Sequence, residues 1–173
     1  MIKTIQHNDV TWVDIENPKR KDIQYLEKQF GLRGRALDEL IPPAHRAKIE
    51  HHDQYLFMIL YDPALDKKRM EILSREVDII VSKDRLITSH YVPVEPLRAL
   101  FDEMIASEGK KAECMSKGAG HLLFCIIKKM FDDDLEELNY IASKIDYIEK
   151  RMFQGEEKKM VFEISVARRD IID

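Results

Sequence analysis

The rhythm of apolar and polar residues changes along this chain, and each change predicts an element. Met1 to Gln6 and Thr11 to Ile15 read as two short strands around the polar break His7-Asn8-Asp9. Asn17-Pro18 predicts a helix start, with Asn17 as N-cap and Pro18 in the first turn. That helix runs through Ile23, Leu26 and Phe30 to a stop at Gly31. A second short helix is predicted for Ala36 to Leu40, ending before Pro42-Pro43. Lys48 to His52 and Gln54 to Tyr61 predict strands, the second almost continuously apolar and therefore central. A charged turn at Asp66 to Arg69 leads to two more strands, Ser74 to Val81 and Arg85 to Tyr91. In the first of these, Val77, Ile79 and Val81 alternate with Glu76, Asp78 and Ser82, predicting one buried and one polar face.

Beyond Val92-Pro93 the period lengthens to that of a helix. Glu95 to Glu108 places Leu97, Leu100, Phe101, Met104 and Ile105 on one face, and Gly109 to Gly120 reads as a loose surface loop. His121 to Phe153 is the longest pattern, free of Pro and Gly. Its first third, Leu122 to Phe131, is apolar nearly all round. The remainder narrows to the stripe Leu138, Ile141, Ile145, Ile148 and Met152. At 1.5 Å per residue such a helix would span about 50 Å, so it is expected to leave the domain body and to need a partner for its stripe. After the turn Gln154-Gly155, the spacing of Met160, Ile164, Ala167 and Ile171 predicts that partner, returning antiparallel. The expected organisation is an α/β body over 1–115, with the long helix and the start of its partner over 116–173 packed on the same domain. The chain stops inside a helical pattern, as a piece of a longer protein would.

Length and composition narrow the class. The 173 residues suit one domain with a proper core; 45% are hydrophobic and 35% charged, with a net charge of −4. That charge, with both signs interspersed, argues against a nucleic-acid partner. Cys114 and Cys125 have no metal-like spacing and suggest reduced thiols in a cytosolic setting. MIKTIQHND lacks the apolar core of a signal peptide, and Leu122 to Ile127 is too short to cross a bilayer, so the chain as it stands is expected to be soluble.

Candidate chemistry is sparse. Asp132-Asp133-Asp134 with Glu136 and Glu137 has the spacing that holds Mg2+ and a diphosphate in some helical enzymes. That mechanism needs a second acidic helix and an apolar tunnel, and the upstream strands contradict it. A solvated helix face is the simpler reading. His45, His51 and His52 lack chelating spacing, since neighbours on a strand point to opposite faces. Ser74, Ser82 and Ser89 sit in no nucleophile turn, and no phosphate-binding glycine loop is present. These residues do not predict an enzyme. Asp38-Glu39 is a quieter candidate: two carboxylates near a helix C-terminus oppose the helix dipole. A positive group should offset them, whether Arg46, Lys48, a partner subunit or a bound cation.

Several segments, in order, resemble the cytoplasmic N-terminal domain of CorA-like magnesium transporters. The resemblance is carried by Thr11-Trp12-Val13-Asp14-Ile15, Phe30-Gly31-Leu32, Leu37-Asp38-Glu39-Leu40, His45-Arg46-Ala47-Lys48-Ile49-Glu50 and Tyr55-Leu56-Phe57. It continues through Leu86-Ile87-Thr88, His121-Leu122-Leu123-Phe124 and Lys144-Ile145-Asp146-Tyr147-Ile148-Glu149. It implies an α/β/α sandwich with a mixed sheet, followed by the long helix and an antiparallel partner. It also implies a stalk and two membrane helices beyond Asp173, the first ending in a Gly-Met-Asn loop. The chain would then be the cytosolic, ion-sensing domain of a pentameric Mg2+ or Co2+ channel of the inner (plasma) membrane, joined to the membrane through those helices. By the same resemblance, Asp38 and Glu39 would hold regulatory Mg2+ between neighbouring subunits, with Mg2+ or another divalent cation also the transported ion.

Two departures stand out. Where some relatives carry two further carboxylates at the start of the long helix, this chain has Lys128 and Asp132, and a lysine cannot bind a cation. The order Asp38-Glu39 is also reversed relative to the family's Glu-Asp, which leaves open which of the two faces the metal. The zinc-transporting branch of the superfamily shares this domain and is the alternative. A free-standing soluble interaction domain is the next reading, and a Mg2+-dependent phosphate-handling enzyme using Asp132 to Glu137 the last.

Overall fold

A computed structural model describes residues 1–30, 37, 39–41, 43, 46–66, 71–152, 160, 161 and 163–165. The predicted Gly31 stop, Asp38, His45, the turns at 67–69 and 154–155, and Ala167 and Ile171 of the returning helix lie outside the described residues. The chain forms two compact units: Met1–Asp62 with Arg75–Met130, and Pro63–Ser74 with Phe131–Asp173.

The first unit is built on a six-stranded sheet of order β1-β2-β6-β5-β4-β3. Its strands are β1 (Ile2–His7), β2 (Val10–Glu16), β3 (Lys48–His51), β4 (Leu56–Asp66), β5 (Glu71–Val81) and β6 (Arg85–His90), the tips of β4 and β5 belonging to the second unit. β2 pairs with β6 in parallel, while β1 with β2, β3 with β4 and β5 with β6 are antiparallel, so the sheet is mixed. β4 is interior, as its apolar run requires, but lies next to the edge strand β3; β6 and β5 hold the middle. Alternation along the strands sends Trp12, Met58, Val77, Ile79, Val81 and Leu86 to one face and Val13, Ile15, Phe57, Ile59, Ile80 and Ile87 to the other. The first face is covered by α2 (Glu95–Ala106), α3 (Glu108–Met115) and the start of α4 (Ala119–Met152). The second is covered by α1 (Arg20–Phe30) through Ile23 and Leu26, and by Leu37 and Leu40. This is the expected α/β/α sandwich.

Four local expectations are corrected. Helix α1 starts at Arg20 rather than after Asn17. Asn17 takes φ 53° and donates its N–H to the His90 carbonyl at 2.7 Å, which ties the chain to β6 before the helix begins. The cap falls at Lys19, whose N–H donates to Asp22 Oδ2 at 2.9 Å. The loop expected over Gly109 to Gly120 is largely helix α3, with Cys114 and Met115 fully buried. Its glycine sits in the first turn, and Ser107 caps it by accepting from Lys110 N–H at 3.2 Å. Ser107→Ala should cost about 1 kcal/mol in urea unfolding; no change would mean that α3 is held by its buried face alone. Ile105 lies outside the buried face of α2. Finally, the start of α4 buries Leu122, Ile126 and Met130 but leaves Phe124 57% exposed, so it is amphipathic rather than apolar all round.

The free thiols of Cys114 and Cys125, unrelated in the sequence reading, meet where α3 packs on α4. Burial first, and then the hydrogen bond with Cys125, push the Cys114 thiol up to about 12.

In the second unit, α4 continues from Phe131. Ile141 and Ile148 of the predicted stripe are buried, whereas Leu138 is exposed. Residues 160, 161 and 163–165 are helical, and Met160 packs on Ile148 and Met152, which is the predicted cover for the end of the stripe. No helix among the described residues is long and apolar enough to cross a membrane.

Candidate functional site

Among the described residues, polar side chains are buried on both faces of the sheet of the first unit. On the α2 side, Trp12 Nε1 donates to Thr88 Oγ1 at 3.0 Å, and Thr88 Oγ1 donates to Asp14 Oδ1 at 2.6 Å. His90 Nε2 lies 3.2 Å from the same oxygen, and His90 Nδ1 lies 2.6 Å from the Val92 carbonyl. The parallel register of β2 and β6 creates this chain by setting Asp14 opposite Thr88 and Trp12 opposite Leu86. Burial alone would discharge His90, but the Asp14 hydrogen bond and charge outweigh it and hold the imidazole pKa above its ordinary value. Every member has a partner, so this network is a structural tie between β2 and β6.

The α1 side differs. Glu39 has helical backbone and a half-buried carboxylate that accepts from Lys48 Nζ. Lys48 Nζ also donates to Glu50 Oε1 at 3.0 Å and lies 5.1 Å from the Phe57 ring centre. Lys48 faces Ile59 and Glu50 faces Phe57 across β3 and β4, which puts both on the α1 face. Burial opposes the ammonium charge, but the bonds to Glu39 and Glu50 raise its pKa. Of the four ways to offset the acidic pair, the structure shows Lys48 answering Glu39.

Deeper on the same face, Glu76 accepts from Tyr61 Oη at 3.1 Å, and Tyr91 Oη donates to the Leu40 carbonyl at 2.6 Å. Asp78 lies between them on β5, 1% exposed, and neither carboxylate oxygen has a hydrogen-bond partner. Burial, then the charges of Glu76 and Glu39, push it up to about 8 against only partial relief from Lys48. Burial and the charges of Asp78 and Glu76 likewise push Tyr91 up to about 12, so it remains a donor.

The face predicted to be polar and solvated is therefore buried, because β5 is a middle strand covered on both sides. Asp78, Glu76, Tyr61 and Tyr91 were missed for that reason. The one signal in the sequence was that β5 has helices predicted both before and after it, as a doubly covered strand must. Asp38, the other predicted site residue, lies outside the described residues. Of the two described candidate histidines, His51 is exposed on β3 and His52 stacks on Tyr55 at 4.6 Å. Asp132 is exposed, with Asp133 and Asp134 half-buried, along α4. Among the described residues no three His, Cys, Asp or Glu side chains form a ready metal cage.

A mixed sheet sandwiched between helices and followed by a long helix defines a class of α/β/α domains, and comparison with known proteins narrows it. The family described as CorA-like Mg2+ transporter protein matches residues 7–173, and the chain belongs to that family. The cobalt/magnesium transport protein CorA of Thermotoga maritima is 25% identical over 165 residues, covering 94% of this chain and 46% of that protein. The chain thus spans about half of that relative's length. The soluble domain of CorA from Methanocaldococcus jannaschii has the same fold, with a TM-score of 0.79 at 17% identity, over 95% of this chain and 64% of that one. The cytoplasmic domain of ZntB from Vibrio parahaemolyticus is also similar, with a TM-score of 0.63 at 17% identity, over 83% of this chain and 56% of that one.

Proposed function

We propose that this chain is the cytosolic ion-sensing domain of a divalent metal ion transporter of the Mg2+ and Co2+ type. The observation that carries the reading is the family match over residues 7–173, which a fold shared with a CorA soluble domain accompanies. In this reading the domain lies on the cytoplasmic side of the plasma membrane, the transporter is a pentamer, and membrane helices outside this chain form the pore. Asp38 and Glu39 bind regulatory Mg2+ between subunits. Carboxylates brought together from two subunits repel, and a dication between them removes the repulsion and favours the closed assembly. Loss of Mg2+ then releases the subunits, a negative feedback on import. The donor set fits a hard cation, because Mg2+ needs only one or two carboxylates and keeps its waters. Lys48 already holds Glu39, so the ion must compete with an ammonium, and a weak site suits a sensor working near cellular Mg2+ levels.

The ZntB neighbour favours a second reading, the zinc-transporting branch, with the same domain architecture. One set of experiments separates these. The coding sequence is expected to continue past Asp173 into two apolar stretches of about 20 residues. The protein it encodes should take up Mg2+ or Co2+ in cells lacking other importers. Uptake of Zn2+ alone would select the second reading, and a stop codon within a turn or two of Asp173 would overturn both. Regulation is tested on the same longer protein: Mg2+ should raise its melting temperature, and the Asp38→Ala, Glu39→Ala variant should lose that rise. An equal rise in the variant would remove these two residues from the site.

A further inference from the structure

Three described aspartates are buried in the sheet, Asp14, Asp62 and Asp78, and their partners differ. Asp14 has Thr88 and His90, and Asp62 has Arg75; Asp78 has no hydrogen-bond partner on either oxygen. Its cross-strand neighbour adds to the anomaly. The antiparallel register sets Asp78 opposite Ser89, whose Oγ is also buried and without a partner. Side chains directly opposite on one face stand within about 5.5 Å. Three unsatisfied oxygens are thus gathered at one point inside the protein, with the Glu76 carboxylate two residues along the same strand face. An unsatisfied buried polar group is costly, and a native core holds few of them.

The surrounding charge says what kind of ligand. Among the described residues, Glu39, Glu76 and Lys48 are the charged groups that act on Asp78, and the Lys48 ammonium is already bonded to Glu39 and Glu50. Among these described groups the imbalance is negative. The donors are all oxygen, carboxylate and hydroxyl, which selects a hard cation over zinc or copper. Mg2+ is commonly held by one or two carboxylates with waters completing its shell.

We propose that Asp78, Ser89 and Glu76 form a cation site inside a single subunit, of Mg2+ type, distinct from the acidic pair at 38 and 39. It lies close to Glu39, which acts on Asp78 electrostatically, and Tyr91, which follows β6, holds the Leu40 carbonyl. Occupancy would anchor β5 and β6 under the segment that carries the acidic pair. The site belongs to one chain and needs neither a neighbour nor a membrane.

The test uses the 173-residue chain stripped of divalent ions, titrated with MgCl2 at constant ionic strength, by calorimetry and by melting temperature. Wild type should give a saturable heat and a rise in melting temperature beyond a KCl control. Asp78→Asn should weaken binding at least about tenfold and Ser89→Ala about threefold, because each removes an oxygen donor or its charge. Glu39→Gln should retain it. Mn2+ added to labelled wild type should broaden the amide signals of Ile79, Ile80 and Ser89 first, a reading that stands even if a variant fails to fold. Absence of a saturable response in wild type, broadening centred elsewhere, or binding kept in Asp78→Asn but lost in Glu39→Gln would overturn the proposal. The last result would assign the ion to the acidic pair instead.

Discussion

Replacing Asp78 by asparagine is expected to make the chain more stable at pH 8 in divalent-free buffer, not less. Asp78 has an ordinary pKa of 3.8, and burial with the charges of Glu76 and Glu39 pushes it up to about 8 in the folded protein. The native state therefore holds a proton that the unfolded chain has released. A raised folded pKa gives stability that is full below pH 4 and is lost as pH climbs towards 8. Across that window the loss is on the order of 5 kcal/mol, a large part of the stability of a domain this size. Asparagine keeps the shape and cannot ionise. Its amide is also buried without a partner, so the net gain at pH 8 should be smaller, about 2–4 kcal/mol. The stability curves of the two proteins should cross, with wild type at least as stable at pH 4. Urea unfolding between pH 4 and 8.5 would measure this. Parallel curves would show that Asp78 ionises freely and is wet. The variant should not be wholly flat, because His90 also has a raised pKa. Its contribution is present below about pH 6.5 and fades as pH passes its folded value.

The second large effect is expected at Arg75. Its Nε donates to Asp62 Oδ2 at 2.9 Å, Nη2 donates to the same oxygen, and Nη1 reaches the Pro93 carbonyl at 3.2 Å. Asp62 has no solvent exposure. Arg75→Met keeps much of the packing but removes the guanidinium from a buried carboxylate, which should cost about 3–5 kcal/mol at pH 7. Adding Asp62→Asn should recover most of that, because the pair itself contributes little beyond cancelling its own desolvation. A single-variant loss below about 1 kcal/mol would mean that water reaches Asp62. A double variant as unstable as the single would mean that Arg75 acts mainly through Pro93 and the entry to α2.

Legibility varied with how local the deciding force was. Five of the six strands, α1 and the long helix followed from periodicity within a few residues of their observed ends. The sixth, β4, extends past Tyr61 to Asp66 because β5 pairs with it beyond the predicted start at Ser74. Helix α3 was hidden because its glycine and lysines suit a loop; what holds it is Cys114 and Met115 reaching a core that no local window contains. Of the predicted site, Glu39 was legible as a charge needing an answer. That Lys48, rather than Arg46, supplies it depends on how β3 runs beneath Glu39.

The chain's own pattern determined the α/β body and the long helix, because hydrophobic period acts between near neighbours, and the segments resembling the CorA-like family implied the layers. Only the tertiary structure decided which carboxylates are buried and which of those are answered. Asp14 and Asp78 each stand in a strand among apolar residues and look alike in sequence. The parallel register of β2 on β6 gives one of them Thr88 and His90. The antiparallel register of β5 on β6 gives the other Ser89, and Glu76 beside it on the strand repels its charge. Desolvation and cross-strand register are properties of the assembled sheet, and they set the chemistry of both sites.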